Sequence, residues 1–127
     1  MTLKSIATEK APAALGPYSQ GIIAGNMIFA SGQLPINPAE GKITAESIED
    51  MTRQSLENAK AVLAEAGASL SDVAKVTIFI KNMGDFARIN GVYAEYFTAH
   101  KPARSTVEVA RLPLDAQIEI EMIAVKG

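Results

Sequence analysis

The sequence predicts an α+β fold, a mixed β-sheet with two helices packed on one of its faces. Three observations lead there. Two segments carry apolar residues at helical spacing. Six others alternate or bunch apolar residues as strands do. Their order along the chain is β, β, β, α, β, α, β, β, which suits helices gathered on one side of a sheet. With 127 residues, 48% hydrophobic and 20% charged, the chain fits one domain over 1–127 with one main core.

The elements follow in order. Residues 3–7 read as a short strand, and 11–21, APAALGPYSQG, as an irregular segment punctuated by Pro and Gly. Ile22–Ile23 and Met27–Ser31 flank Gly25-Asn26, a hairpin signal. The polar run Asn37-Pro38-Ala39-Glu40-Gly41 is a loop. The clearest helix spans 45–66, with Ile48, Met51, Leu56, Ala59, Val62, Leu63 and Ala66 on one stripe and Gly67 as its stop. Residues 73–81 alternate, with Val76, Ile78 and Ile80 on one face and Thr77, Phe79 and Lys81 on the other. A second helix is expected from Asn82–Asp85 to about Ala99, its stripe formed by Phe86, Ile89, Tyr93, Tyr96 and Phe97. Strands at 104–110 and 117–125 complete the chain.

Composition narrows the chemistry. The chain has no cysteine, which removes disulfides, thiolate metal sites and cysteine nucleophiles and fits a reducing cytoplasm. Residues 1–16, MTLKSIATEKAPAALG, lack the unbroken apolar core of a signal peptide. No run approaches the roughly 18 apolar residues of a membrane span, so a cytoplasmic domain without a membrane partner is expected. A net charge of −2 gives no basic footprint for nucleic acid. His100 is the only histidine and stands at a predicted helix end, where it reads as a group complementing the helix dipole rather than as a catalyst. HExxH, Walker A and G-x-G-x-x-G patterns are absent, which leaves cofactor-free chemistry or simple binding.

Strand parity raises a further expectation. In the last strand Ile118, Ile120, Met122 and Ala124 should meet the helices, with Glu119, Glu121, Ile123 and Val125 on the far face. In the preceding strand Val107 and Val109 should face the helices, so that Arg104, Thr106, Glu108 and Ala110 face away, on the side of Glu119. If these two strands pair antiparallel, counting about the 111–116 loop sets Arg104 opposite residues near 123, not opposite Glu119. A far face mixing apolar residues with a few charges is unlike a solvated face. It is expected to pack in a homo-oligomer, with Arg104 and the carboxylates near subunit boundaries. By spacing alone an arginine behind a proline reads first as a solvated charge at a strand end; its other use is two-pronged binding of a carboxylate. Tyr18, on the rigid Gly16-Pro17-Tyr18-Ser19-Gln20 loop, reads first as a loop residue packed on the core and otherwise as the wall of a small pocket; Ser31-Gly32-Gln33 reads as a strand-ending turn or as open backbone at a strand end.

Taken together, Thr8-Glu9-Lys10-Ala11-Pro12, Gly16-Pro17-Tyr18-Ser19-Gln20-Gly21, Ser31-Gly32-Gln33, Pro102-Ala103-Arg104-Ser105 and Ile118-Glu119-Ile120-Glu121 resemble the RidA (YjgF) family, in the family's order and over nearly the whole chain. The resemblance implies a chorismate-mutase-like fold assembled as a homotrimer with sites between subunits. It implies cofactor-free hydrolysis of 2-imino acids or their enamines, such as 2-iminobutanoate and 2-iminopropanoate, to 2-oxo acids and ammonium. It also implies coupling to the pyridoxal-phosphate enzymes that release such imines. Arg104 then matches the carboxylate-binding arginine, Glu119 the glutamate that positions water, and Tyr18 the tyrosine over the substrate. Ser31 and Gly32 match the strand end lining the pocket, Asn90 an asparagine near it, and Thr106 a position often held by cysteine, here without a thiol. His100-Lys101-Pro102 is a shorter approach to Arg104 than in many relatives, which carry an aromatic just before the proline. The remaining readings are a 2-oxo or amino acid sensor without turnover, a ribonuclease and a holdase chaperone.

Overall fold

The computed structural model describes residues 2–127. Six strands, β1 (Leu3–Ile6), β2 (Gly21–Ala24), β3 (Met27–Gln33), β4 (Val73–Ile80), β5 (Ala103–Glu108) and β6 (Ile118–Val125), form one sheet in the order β1-β2-β3-β6-β4-β5. Two helices, α1 (Ile48–Glu65) and α2 (Phe86–Tyr96), pack against each other, and α1 lies on β3 and β6. Among the described residues, no helix is long and apolar enough to cross a membrane.

Local sequence accounts for these elements. Gly25, at φ 62°, makes the two-residue turn that pairs Ala24 with Met27. The Ser47 side chain caps α1 by accepting from the Asp50 N–H. At the other end Ala68 N–H donates to Leu63 and Gly67 N–H to Ala64, with Gly67 at φ 79°, a Schellman stop. Leu56, Val62 and Leu63 on the inner stripe are fully buried, each contributing roughly 1.5–3 kcal/mol relative to exposure. They meet Ile28 and Ala30 of β3, Val76, Ile78 and Ile80 of β4, and Ile118, Ile120 and Met122 of β6 in one core. The second helix is shorter than its periodicity suggests, because a 3₁₀ turn at Met83–Asp85 leads into it and it ends at Tyr96.

Two expectations about the C-terminal strands fail. β5 and β6 are not neighbours: β5 pairs parallel with β4, and β6 inserts antiparallel between β3 and β4. The unit β4–α2–β5 is a crossover, and a crossover returns the chain parallel to the strand it left. Residues 109–117 then carry the chain past β4 to its other side. The face of β5 is also reversed. Arg104 pairs with Val76 and Thr106 with Ile78, so both lie on the helix side, while Val107 lies with Phe79 on the far face. Arg104 and Glu119 are therefore on opposite faces of the sheet. β5 is an edge strand, where α2 can shelter a long charged side chain and where an apolar residue such as Val107 can remain 42% exposed.

The segment before β2 is held by one side chain. Gln20, buried, accepts from the Thr8 N–H at 2.7 Å and donates to the carbonyls of Thr8 at 3.0 Å, Ala11 at 3.3 Å and Pro12 at 2.8 Å. Gln20→Ala strands these groups, and the expected loss of unfolding free energy is about 2 kcal/mol, read from urea denaturation midpoints at unchanged slope.

Candidate functional site

The far face carries one half of the predicted site. Glu119 and Glu121 project from β6, opposite Phe79 and Thr77 of β4. On the other side of β6, the register with β3 slips between Ala30 and Gln33, a bulge that contains Ser31 and Gly32. Bulges of this kind bend a strand and re-aim its side chains. Gly32 is required by close approach: a Cβ there would stand 2.8 Å from Glu119 Cδ and 3.0 Å from Oε2. The Glu119 carboxylate thus lies directly on the β3 backbone. Ser31 is anchored, its N–H donating to Gln20 O at 2.9 Å and its hydroxyl to Ser19 O at 2.6 Å. These bonds tie the bulge to the Tyr18 loop. The Leu15 N–H donates to the Tyr18 phenol oxygen at 3.2 Å, which leaves the phenol proton available to a ligand. Tyr18, Ser31, Gly32, Pro113, Glu119 and Glu121 line a cleft of about 470 Å³. Burial pushes the Glu119 carboxyl above its ordinary pKa, and the like charge of Glu121 pushes the same way.

The other half lies across the sheet. The Arg104 Nη1 donates to Asn90 Oδ1 at 2.8 Å, and the guanidinium carbon stands over the rings of Tyr93 at 4.7 Å and Phe86 at 5.7 Å. Arg104, Asn90, Tyr93, Ala94, Phe97, Lys101 and Pro102 line a cleft of about 330 Å³. Thr106, two residues along the same face, buries its hydroxyl without a partner among the described residues. His100 takes a structural part, its Nε2 lying 2.6 Å from Val73 O, which fixes the segment ahead of Lys101 and Pro102 at the start of β4.

The structure therefore brings Tyr18, Ser31, Gly32 and Glu119 together, and separately Asn90, Arg104 and Thr106. It does not bring the two groups together within one chain. Among the described residues, no group of three His, Cys, Asp or Glu side chains could hold a metal ion.

The Endoribonuclease L-PSP family model matches residues 8–126. The chain is 53% identical over 126 residues to the 2-iminobutanoate/2-iminopropanoate deaminase of Escherichia coli, covering 97% of this chain and 98% of that one. It belongs to the RidA (YjgF) family. A RutC family protein of Pyrococcus horikoshii is 60% identical over 121 residues, covering 95% and 96% of the two chains. The solved structure of E. coli TdcF with bound serine superposes with a TM-score of 0.93 at 50% identity, over 98% of this chain and 99% of that one. The six-stranded sheet with two helices matches structures of the RidA family, including the E. coli YjgF gene product at a TM-score of 0.93 and 53% identity, over 98% and 99% of the chains.

Sequence reasoning missed four residues that contribute to this RidA architecture. Phe86 and Tyr93 were visible as part of an apolar helical stripe, but nothing marked that stripe as a seat for a cation. Gln20 stands within the Gly16-Pro17-Tyr18-Ser19-Gln20-Gly21 segment, yet its clamp on residues 8–12 depends on how the loop folds back. Pro113 became part of the Glu119 cleft only because residues 109–117 pass over β4 rather than forming a hairpin.

Proposed function

We propose that this protein hydrolyses 2-imino acids and their enamine tautomers, with 2-iminobutanoate and 2-iminopropanoate as substrates, to 2-oxo acids and ammonium. The observation that carries the proposal is Arg104: a guanidinium held in a cleft by Asn90 and two aromatic rings, with no carboxylate partner among the described residues. Such a fork suits a substrate carboxylate. The deaminase name of the 53% identical relative supplies the reaction class.

The reaction needs little beyond positioning. A protonated imine is electrophilic at carbon. Water adds its oxygen there, the carbon–nitrogen bond breaks, and C=NH₂⁺ plus H₂O becomes C=O plus NH₄⁺. Arg104 holds the carboxylate, Glu119 takes a proton from the attacking water and returns it to the departing nitrogen, and Tyr18 closes over the substrate. Asn90 steadies the Arg104 fork, Ser31 and Gly32 present the backbone beneath the carboxylate of Glu119, and Thr106 offers a hydroxyl beside the arginine. The raised pKa of Glu119 supports this role, because a base whose pKa lies nearer neutrality takes up a proton more readily.

A homotrimer with its sites between subunits completes the proposal. It is supported by the separation of Arg104 from Glu119 and by the far face, where Met27 is 38%, Phe29 39% and Val125 39% exposed. Partner enzymes are those of pyridoxal-phosphate chemistry that release 2-imino acids.

The test couples a threonine dehydratase to this protein and follows decay of the imine. Faster decay with protein present is expected; decay at the spontaneous rate would remove the proposal, and binding of 2-oxobutanoate without acceleration would favour a sensor instead. The pH profile gives a second check. Glu119 must be ionised to act, so activity falls as pH drops through its raised pKa. Glu121→Gln removes a like charge, lowers that pKa and should move the acidic limb of kcat/KM to lower pH. An acidic limb that stays in place or moves up would contradict the assignment of Glu119 as the base.

A further inference from the structure

The geometry points to Tyr93 as a positioning residue for Arg104, which rests on the carboxylate-binding role proposed above. Arg104 lies on an edge strand, and its guanidinium is contacted by side chains of α2. Phe86, Asn90 and Tyr93 stand at i, i+4 and i+7 of α2 and so share one face of the helix. Each touches the guanidinium: Tyr93 with its ring at 4.7 Å, Phe86 with its ring at 5.7 Å, and Asn90 with its side-chain oxygen at 2.8 Å.

Of the three, Tyr93 is the firmest. It is only 9% exposed, and its ring packs on Phe97 with centroids 4.8 Å apart and planes tilted by 34°. Its hydroxyl is buried without a hydrogen-bond partner among the described residues, so its position is not set by a hydrogen bond of its own. The ring therefore presents a fixed negative face to the guanidinium. Nη1 donates to Asn90, and Nε and Nη2 donate to no other group among the described residues, which leaves the side of the fork open to a carboxylate.

A long side chain held this way loses less freedom when a ligand arrives. Tyr93 thus acts on carboxylate affinity through Arg104 and does not touch the reacting carbon. The hydroxyl is not needed for this, and the ring is.

The experiment measures binding of 2-oxobutanoate by calorimetry and, separately, turnover of 2-iminobutanoate. Tyr93→Leu is expected to weaken 2-oxobutanoate binding about tenfold and to raise KM with kcat within about twofold. Tyr93→Phe should restore wild-type binding to within about twofold, since it keeps the ring face. Phe86→Leu, at a half-buried position, tests the same cradle should Tyr93→Leu fail to fold, with about threefold weaker binding expected. Wild-type binding by both leucine variants overturns the inference, as does a loss in Tyr93→Phe equal to that in Tyr93→Leu. A fall in kcat with KM unchanged also overturns it. If the wild type binds 2-oxobutanoate but turns over no imine, the deaminase proposal falls while the binding comparison still decides on Tyr93. If the wild type binds no 2-oxo acid, both fall.

Discussion

Arg104→Ala is expected to lower kcat/KM for 2-iminobutanoate by about two to three orders of magnitude, the range that follows from truncating one partner of a sheltered, hydrogen-bonded charge pair. No other cation replaces it well. Lys101 lines the same cleft, but it sits on the exposed approach to β5, without ring or amide contacts to hold it. The fold should tolerate the change. Arg104 lies on an edge strand, outside the core formed by β3, β4, β6 and the helices, and among the described residues it forms no salt bridge whose loss would leave a buried carboxylate unpaired. Size-exclusion chromatography with light scattering should show the same assembly as wild type, so lost activity can be assigned to the site. Arg104→Lys should fall in between, because an ammonium keeps the charge but cannot form two parallel bonds or stack on Tyr93 as a plane. Wild-type kcat/KM in Arg104→Ala would contradict the assignment.

Most of the fold was legible because its signals are local. The stripe of α1, its stop at Gly67 and the turn at Gly25 each follow from a few neighbouring residues. The inward face of β6 was also legible, since Ile118, Ile120, Met122 and Ala124 are buried and alternate without exception. β5 resisted the same treatment. Parity says which residues share a face, but assigning that face to the helices relied on Val107 being inward. At an edge strand that inference breaks, because α2 provides aromatic surface for Arg104 and the far face is itself partly apolar. Strand order was out of reach for a different reason. Pairing of β6 with β3 and β4 joins residues far apart in sequence, and nothing within 109–117 states that the chain will cross β4. The candidate residues were found by resemblance and by chemistry. Their division into two groups was not, because it depends on the one face that parity placed wrongly.

That division yields the sharpest prediction. Subunits carrying Arg104→Ala keep the half-site of Tyr18, Ser31, Gly32 and Glu119, and subunits carrying Glu119→Gln keep the half-site of Asn90, Arg104 and Thr106. Each pure protein is expected to be nearly inactive. Unfolded together in equal amounts and refolded, they should regain activity. A site between neighbours in a closed ring is intact when its arginine comes from the Glu119→Gln subunit and its glutamate from the Arg104→Ala subunit. Each condition holds half the time under random mixing, so about a quarter of wild-type activity should return. Were both residues needed from one chain, no mixed assembly would hold an intact site, and the mixture would stay as inactive as its parts. The geometry favours recovery: Arg104 lies on the helix side of edge strand β5, Glu119 lies on the open face of β6, and β4 stands between them. Opposite faces of one sheet are the arrangement that a site shared between two molecules would complete.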